Sequence, residues 1–95
     1  MEIEDLYVLL DELVLKAPGL SDSFRQLIET DAYEEGMVVL ALDSFVQGIH
    51  RSRDQLPLSL FNRLEVVVNA LRGSVEEDFD ARALVRSFDR LPLVT

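Results

Sequence analysis

His50 is the only histidine of the chain and there is no cysteine, so side chains that often act as nucleophiles, proton carriers or transition-metal ligands are nearly absent. No nucleophile stands near His50 in a recognisable catalytic motif, which leaves a Ser-His-Asp type of triad without a basis. The neighbouring Arg51 and Arg53 form a small basic patch that we expect to pair with nearby acids rather than with phosphate. His50 is therefore interpreted as a surface loop residue.

The acidic run at residues 76–80 is the most metal-like feature, because hard cations bind where several carboxylates converge. An EF-hand loop requires a glycine at its sixth position and a glutamate at its twelfth. Counted from Asp78, those positions hold Ala83 and Asp89. We therefore interpret the run as negative charge at the N-terminus of a helix, and we expect no metal site.

Phosphate and acid/base chemistry also lack their residue patterns. The four glycines are isolated, and no Lys-Ser or Lys-Thr pair follows any of them, so no phosphate-binding loop is indicated. The carboxylate pairs Asp11-Glu12 and Glu34-Glu35 are adjacent in helical sequence, where neighbouring side chains point about 100° apart and do not form a dyad. The sequence predicts a protein that is not an enzyme and needs no cofactor.

Apolar residues spaced by three and four predict helices along the whole chain. The first helix has the stripe Ile3, Leu6, Leu10, Leu13 and Ala17 and ends at Pro18-Gly19. A short second helix, capped by Ser21 or Asp22, is expected to end near Thr30.

A third helix is predicted to begin near Ala32, where residues 31–34 form a capping box, and to continue through the apolar stretch from Met37 to Ile49. It is apolar on nearly every face, which is typical of a central helix surrounded by others. We expect its residues Leu42 and Phe45 to be almost fully inaccessible.

Residues 50–57 are predicted to form a loop, since they are polar and end in a proline. Ser59 would cap a fourth helix that Gly73 ends in a left-handed conformation. A second capping box at residues 74–77 would begin a fifth helix, whose apolar side is expected to be formed by Phe79, Ala83, Leu84, Val85 and Phe88. The prediction is an all-α fold, a small bundle of about five helices around a central buried helix, in one domain over residues 1–95.

The charge of the chain is strongly asymmetric. Eighteen acids against nine lysines and arginines give a formal net charge of -9. Residues 1–48 hold eleven acids and two bases, whereas residues 49–95 hold seven of each. Such a charge favours a basic protein partner and disfavours nucleic acid and anionic lipid. The lack of cysteine, the acidic N-terminus and the lack of an apolar run of roughly 20 residues favour a cytoplasmic location.

The outer face of the first helix carries apolar residues among acids, which is how an interface that binds fast and tightly is built. The alternative is that these apolar residues are ordinary surface, or that the C-terminal tail covers one of them. We expect partner binding by this face and by the acids around the third helix's start. The residues are Glu4, Val8, Asp11, Glu12, Leu15, Glu29, Asp31, Tyr33, Glu34 and Glu35.

Residues 27–42, LIETDAYEEGMVVLAL, followed by a polar loop and Leu58-Ser59, resemble the MafI-type immunity proteins of polymorphic toxin and contact-dependent growth inhibition systems of bacteria. The resemblance covers roughly residues 24–73. It implies a small helical protein that neutralises a cognate toxin, commonly a basic nuclease, by covering its active site or substrate groove.

The sequence is compatible with two functions. A third hypothesis, a small enzyme, has no candidate catalytic residues. The first is toxin immunity. The alternative is an acidic helical adaptor or regulator that docks on another basic cytoplasmic protein. Neither requires a small-molecule substrate, a nucleic acid or a membrane.

Overall fold

The computed structural model describes residues 2–53, 55–74 and 79–91. Within these residues there are five α-helices and no strand, which confirms the all-α prediction. The α-helices are α1 (Ile3–Leu15), α2 (Asp22–Glu29), α3 (Val38–Ser52), α4 (Leu58–Leu71) and α5 (Phe79–Asp89). A π-helical turn (Thr30–Glu34) follows α2, and a 3-10 turn (Arg72–Ser74) follows α4. The radius of gyration, 12.1 Å, is close to the roughly 12 Å of a compact globule of this length.

Helix α3 is the most buried element, as its sequence predicts. Nine of its fifteen residues are buried, and Leu42 and Phe45 are fully inaccessible. It packs against α1, α2 and α5, while α4 packs against α1 and α5. Side chains from all five helices join in one hydrophobic core around it.

The connection between α1 and α2 is fixed by two polar side chains. The Ser21 hydroxyl accepts a hydrogen bond from the Phe24 amide at 3.2 Å, so Ser21, not Asp22, caps α2. Arg25 donates to the carbonyls of Ala17 and Leu20, at 2.6 and 3.2 Å. Its guanidinium thereby satisfies carbonyl groups that lie beyond the end of α1.

The predicted start of α3 near Ala32 is wrong. The chain first makes the π-helical turn, in which the Glu35 amide donates to the Thr30 carbonyl at 2.9 Å, and α3 begins only at Val38. Gly36 separates the two with a positive φ of 68°, a conformation that glycine adopts at little cost. The Asp31 side chain does not cap a helix, because it accepts a hydrogen bond from Ser44 in the core instead.

The boundaries of α3 and α4 also differ from the prediction. Residues 50–52 are helical, and α3 ends where Arg53 takes a left-handed conformation. Ser59 lies inside α4 and does not cap it. Pro57 precedes the helix, and its carbonyl accepts from the amides of Leu60 and Phe61, both at 3.0 Å. Gly73 lies in the 3-10 turn without a positive φ, so it is not the left-handed residue predicted there.

Helix α5 buries Ala81, Leu84 and Phe88, and Phe88 stacks on Phe61 of α4 with ring centroids 5.3 Å apart. Phe79, predicted for the apolar side, is 79% exposed. Residues 75–78, most of the predicted capping box, lie outside the described residues, as do residues 92–95.

Phe45→Ala is expected to lower the free energy of unfolding by about 3–5 kcal/mol, because it leaves a cavity at a fully inaccessible position of α3. Phe79→Ala is the matched control and is expected to change it by less than about 0.5 kcal/mol. Urea denaturation followed by circular dichroism measures both. A loss below about 1 kcal/mol for Phe45→Ala would contradict the core assignment.

Gly36→Ala tests the break before α3. A β-carbon at Gly36 or at Gly73 meets nothing within 4 Å, so the two glycines differ mainly in φ. Gly36→Ala is expected to destabilise the fold by about 1–2 kcal/mol through the left-handed conformation. Gly73→Ala is expected to be neutral or to stabilise by up to about 1 kcal/mol. Equal effects in thermal or urea unfolding would count against the left-handed turn.

Candidate protein-interaction surface

The outer face of α1 presents apolar groups to solvent, as the sequence predicts. Val8 is 53% exposed and Leu15 is 78% exposed, and exposed Glu4, Asp11 and Glu12 lie around them on the same helix. The two edges of this face have different neighbours. Asp11 lies on the edge toward the π-helical turn, whereas Glu12 lies on the edge toward α4.

On the first edge, a groove of about 300 Å³ lies between α1 and the segment formed by α2 and the π-helical turn. We call it the α1/α2 groove. Three of the predicted contact residues, Asp11, Glu29 and Tyr33, line it together. The remaining lining residues, Leu10, Val14, Arg25 and Ile28, are mainly apolar.

Two tyrosines hold the π-helical turn against α1. The Tyr7 hydroxyl donates to the Ala32 carbonyl at 2.6 Å, and the Tyr33 hydroxyl donates to the Asp11 carboxylate. Their rings lie with centroids 5.5 Å apart. The hydrogen bond to Asp11, with a smaller contribution from burial, raises the pKa of Tyr33 to about 12. The phenol is protonated at neutral pH, and its hydrogen bond orients the Asp11 carboxylate in the groove.

On the second edge, Glu12 forms an ion pair with Arg63 of α4. Both side chains are about half exposed, so the pair contributes little stability, but it balances the charge of Glu12 locally. Glu12 and Leu15 line a separate groove between α1 and α4, together with Lys16 and Arg63. The structure thus places five of the ten predicted contact residues in two separate grooves.

The other predicted contact residues separate into exposed and buried positions. Glu34 and Glu35 are exposed at the end of the π-helical turn but do not line the α1/α2 groove. Asp31 is only 8% exposed and accepts from Ser44 at 3.2 Å. Asp31 is therefore corrected from a surface contact to an internal hydrogen-bond acceptor, because the turn points its side chain at α3.

Within the described residues, the acids of the α1/α2 groove form no ion pair. The ion pairs within the described ranges are Glu12–Arg63 and Arg72–Asp89, so neither Asp11 nor Glu29 is part of one. Arg25 lines the same groove, but its guanidinium donates to backbone carbonyls. The groove combines an oriented carboxylate, a second carboxylate, an exposed aromatic ring and apolar walls.

Sequence reasoning missed Tyr7, Val14 and Arg25 as parts of this surface. Tyr7, Asp11 and Val14 follow each other at steps of four and three, which puts them on one edge of α1, so a signal was present for two of them. Arg25 gave no local signal, because its role depends on carbonyls five and eight residues earlier in the chain.

The described residues contain neither a cluster of metal-ligand residues nor a helix that could span a membrane. No group of three or more histidines, aspartates or glutamates converges there as metal ligands would. None of the described helices is both long and apolar enough to cross a bilayer.

No protein-family model matches the chain, and the searches of curated proteins and of solved structures found no similar protein either.

Asp11→Asn is expected to bring the pKa of Tyr33 from about 12 toward the ordinary value of about 10, because the charged acceptor is lost. Because the pKa of Tyr33 is higher in the folded than in the unfolded chain, the hydrogen bond contributes its full stabilisation below pH 10. That stabilisation is lost as the pH rises toward 12. The phenolate absorbance of Tyr33 can be titrated in a Tyr7→Phe background, since the chain has two tyrosines. Circular dichroism recorded at each pH checks that the fold persists. An unchanged midpoint would mean that the hydrogen bond is not formed in solution.

Proposed function

We propose that this protein is an immunity protein that binds a basic toxin and neutralises it, with the α1/α2 groove and the outer face of α1 as its docking surface. The observation that carries the proposal is the groove itself, where Asp11 and Glu29 form no ion pair with any described residue and stand beside the exposed ring of Tyr33. Unpaired carboxylates next to an aromatic ring form a site for a cationic side chain.

A lysine or arginine of the partner fits the chemistry of this groove. Its aliphatic stem would pack on the half-buried Val14, and its charged end would meet Asp11 and Glu29. Tyr33 would add a rigid aromatic contact, which is the type of residue that most often dominates binding energy. The hydrogen bond from Tyr33 holds Asp11 in place, so little conformational freedom is lost on binding.

Long-range attraction supports the same surface. The eleven acids of residues 1–48 include three exposed residues on the two elements that border the groove. Glu4 lies on α1, and Glu34 and Glu35 lie at the end of the π-helical turn. An excess of negative charge on one side steers a basic protein to that side and raises the association rate. A nuclease suits this requirement, because the surface that binds a phosphate backbone is itself basic.

The resemblance to MafI-type immunity proteins supports toxin neutralisation over general adaptor function. An adaptor for another basic cytoplasmic protein would use the same charge, so the two functions differ in the partner and in its fate. In the implied family, the toxin gene usually lies directly upstream of the immunity gene. Its product is therefore the partner to test first.

The decisive test is protection. The protein encoded by the upstream gene is expressed from an inducible promoter in a bacterial host, with or without this chain. We expect growth arrest that this chain relieves, and loss of protection in the Tyr33→Ala variant at equal expression. If the upstream product is harmless, or if protection is absent, toxin immunity is refuted and the adaptor function gains.

Binding kinetics test the surface. Glu29→Lys and Glu65→Lys change the net charge equally, but Glu29 lines the α1/α2 groove and Glu65 is exposed on α4. Glu29→Lys is expected to slow association several-fold more than Glu65→Lys and to weaken its salt dependence. Tyr33→Ala is expected to speed dissociation by about tenfold or more.

Surface plasmon resonance across a salt series measures these rates. Equal effects of the two lysine substitutions, with unchanged dissociation of Tyr33→Ala, would place the docking surface elsewhere.

A further inference from the structure

A further concave site, separate from the two grooves beside α1, lies where the last turns of α3 meet the end of α5. We call it the α3/α5 pocket. Its volume is about 290 Å³, and its lining residues are Val46, Gln47, His50, Arg51, Ser87 and Arg90. None of them lines either groove beside α1. Hydrogen-bond donors from two elements that are distant in sequence therefore share one pocket.

Neither arginine of this pocket forms an ion pair with an acid among the described residues. The sequence led us to expect that Arg51 pairs with a nearby carboxylate, but the described ion pairs involve neither Arg51 nor Arg90. Arg51 instead lies over the ring of Phe24, with its guanidinium carbon 5.7 Å from the ring centroid. Stacking on a ring face leaves the in-plane N–H groups of a guanidinium available to a ligand.

A buried carboxylate organises the back of the pocket. Asp43 is 4% exposed and accepts hydrogen bonds from the Ser87 hydroxyl and, at 3.0 Å, from the Gln47 side chain. Ser87 and Gln47 are thereby held in position, and Gln47 keeps a second N–H to offer. The floor of the pocket is consequently fixed, while Arg51 and Arg90 supply its charge.

The charges around the pocket nearly cancel. Cations near helix C-termini are common, because each terminus carries about half a negative charge. The C-terminal ends of α3 and α5 together would neutralise about one positive charge, and the Asp43 carboxylate would neutralise a second. Arg51 and Arg90 line the pocket and form no ion pair within the described residues, so their two positive charges offset these negative charges and their N–H groups stay available to a ligand.

We propose that the α3/α5 pocket binds the phosphate group of a small molecule. Two guanidinium groups, the Gln47 amide and the His50 ring line the pocket together, and the three terminal oxygens of a phosphate monoester can accept from more of these donors than the two oxygens of a carboxylate. The size of the pocket suits a ligand such as a sugar phosphate, since cavities of about 150 Å³ already hold benzene. A nucleic acid is disfavoured, because a polyanion would be repelled by the net charge of -9.

The proposal is tested by titrating the protein with inorganic phosphate and with ribose 5-phosphate, each at constant ionic strength, while amide chemical shifts are recorded by nuclear magnetic resonance. We expect saturable shifts at Gln47, Arg51, Ser87 and Arg90. Acetate and chloride are expected to give none that saturate. A single-stranded oligonucleotide is expected to bind no more tightly than ribose 5-phosphate.

Substitutions provide the matched comparison. Arg51→Gln and Arg90→Gln are each expected to weaken phosphate binding by about tenfold, the value of one charge-assisted hydrogen bond. Arg53→Gln removes the same charge from the end of the same helix but does not line the pocket, so binding is expected to change by less than about twofold. Arg90→Lys keeps the charge and loses the planar fork, and an intermediate affinity is expected.

Three results would overturn the proposal. They are equal shifts with acetate, an equal loss of binding in Arg53→Gln, or tighter binding of the oligonucleotide than of the sugar phosphate. None of these measurements involves the toxin, so the outcome is independent of the proposed immunity function.

Discussion

The fold depends on one requirement, which is that α3 must be covered on almost every side. With nine of its fifteen residues buried, α3 exposes only a minor part of its surface, and no single neighbour can enclose it. Helices α1, α2 and α5 cover it directly, and α4 completes the core from its position against α1 and α5. Each outer helix therefore turns only one face inward. The outer face of α1 is left free of packing demands, and that is where acids and exposed apolar residues can coexist.

The helices could be predicted because their signals are local. Steps of three and four place Leu42 and Phe45 on α3, and Ser21 caps α2 through an amide only three residues away. The start of α3 could not be predicted in the same way. Asp31 reads as a cap in sequence, but its true partner, Ser44, is thirteen residues ahead and comes within reach only in the folded chain. Gly36 then supplies the left-handed conformation that separates the π-helical turn from the new helix.

The candidate surface shows the same division. Exposure of Val8 and Leu15 follows from the helical repeat of α1, so it could be predicted. The pairing of Asp11 with Tyr33 and of Glu12 with Arg63 joins residues more than twenty positions apart. These contacts split one continuous helix face into an edge with unpaired acids and an edge with balanced charge. No periodicity argument distinguishes adjacent residues 11 and 12 in this way, because the difference lies in what the tertiary structure places beside them.

The two adjacent polar residues of α3 have a consequence for how uniquely the chain folds. An apolar cylinder can be enclosed by its neighbours at many angles and heights with similar energy, which produces a set of degenerate packings rather than one structure. Asp43 bonds to Ser87 of α5, and Ser44 bonds to Asp31 of the π-helical turn. Neighbouring side chains on a helix point about 100° apart, so the two contacts hold the helix from different directions. A rotation or a slide of α3 would strand a buried carboxylate on one side or the other, and the cost of that fixes both the angle and the height of the helix.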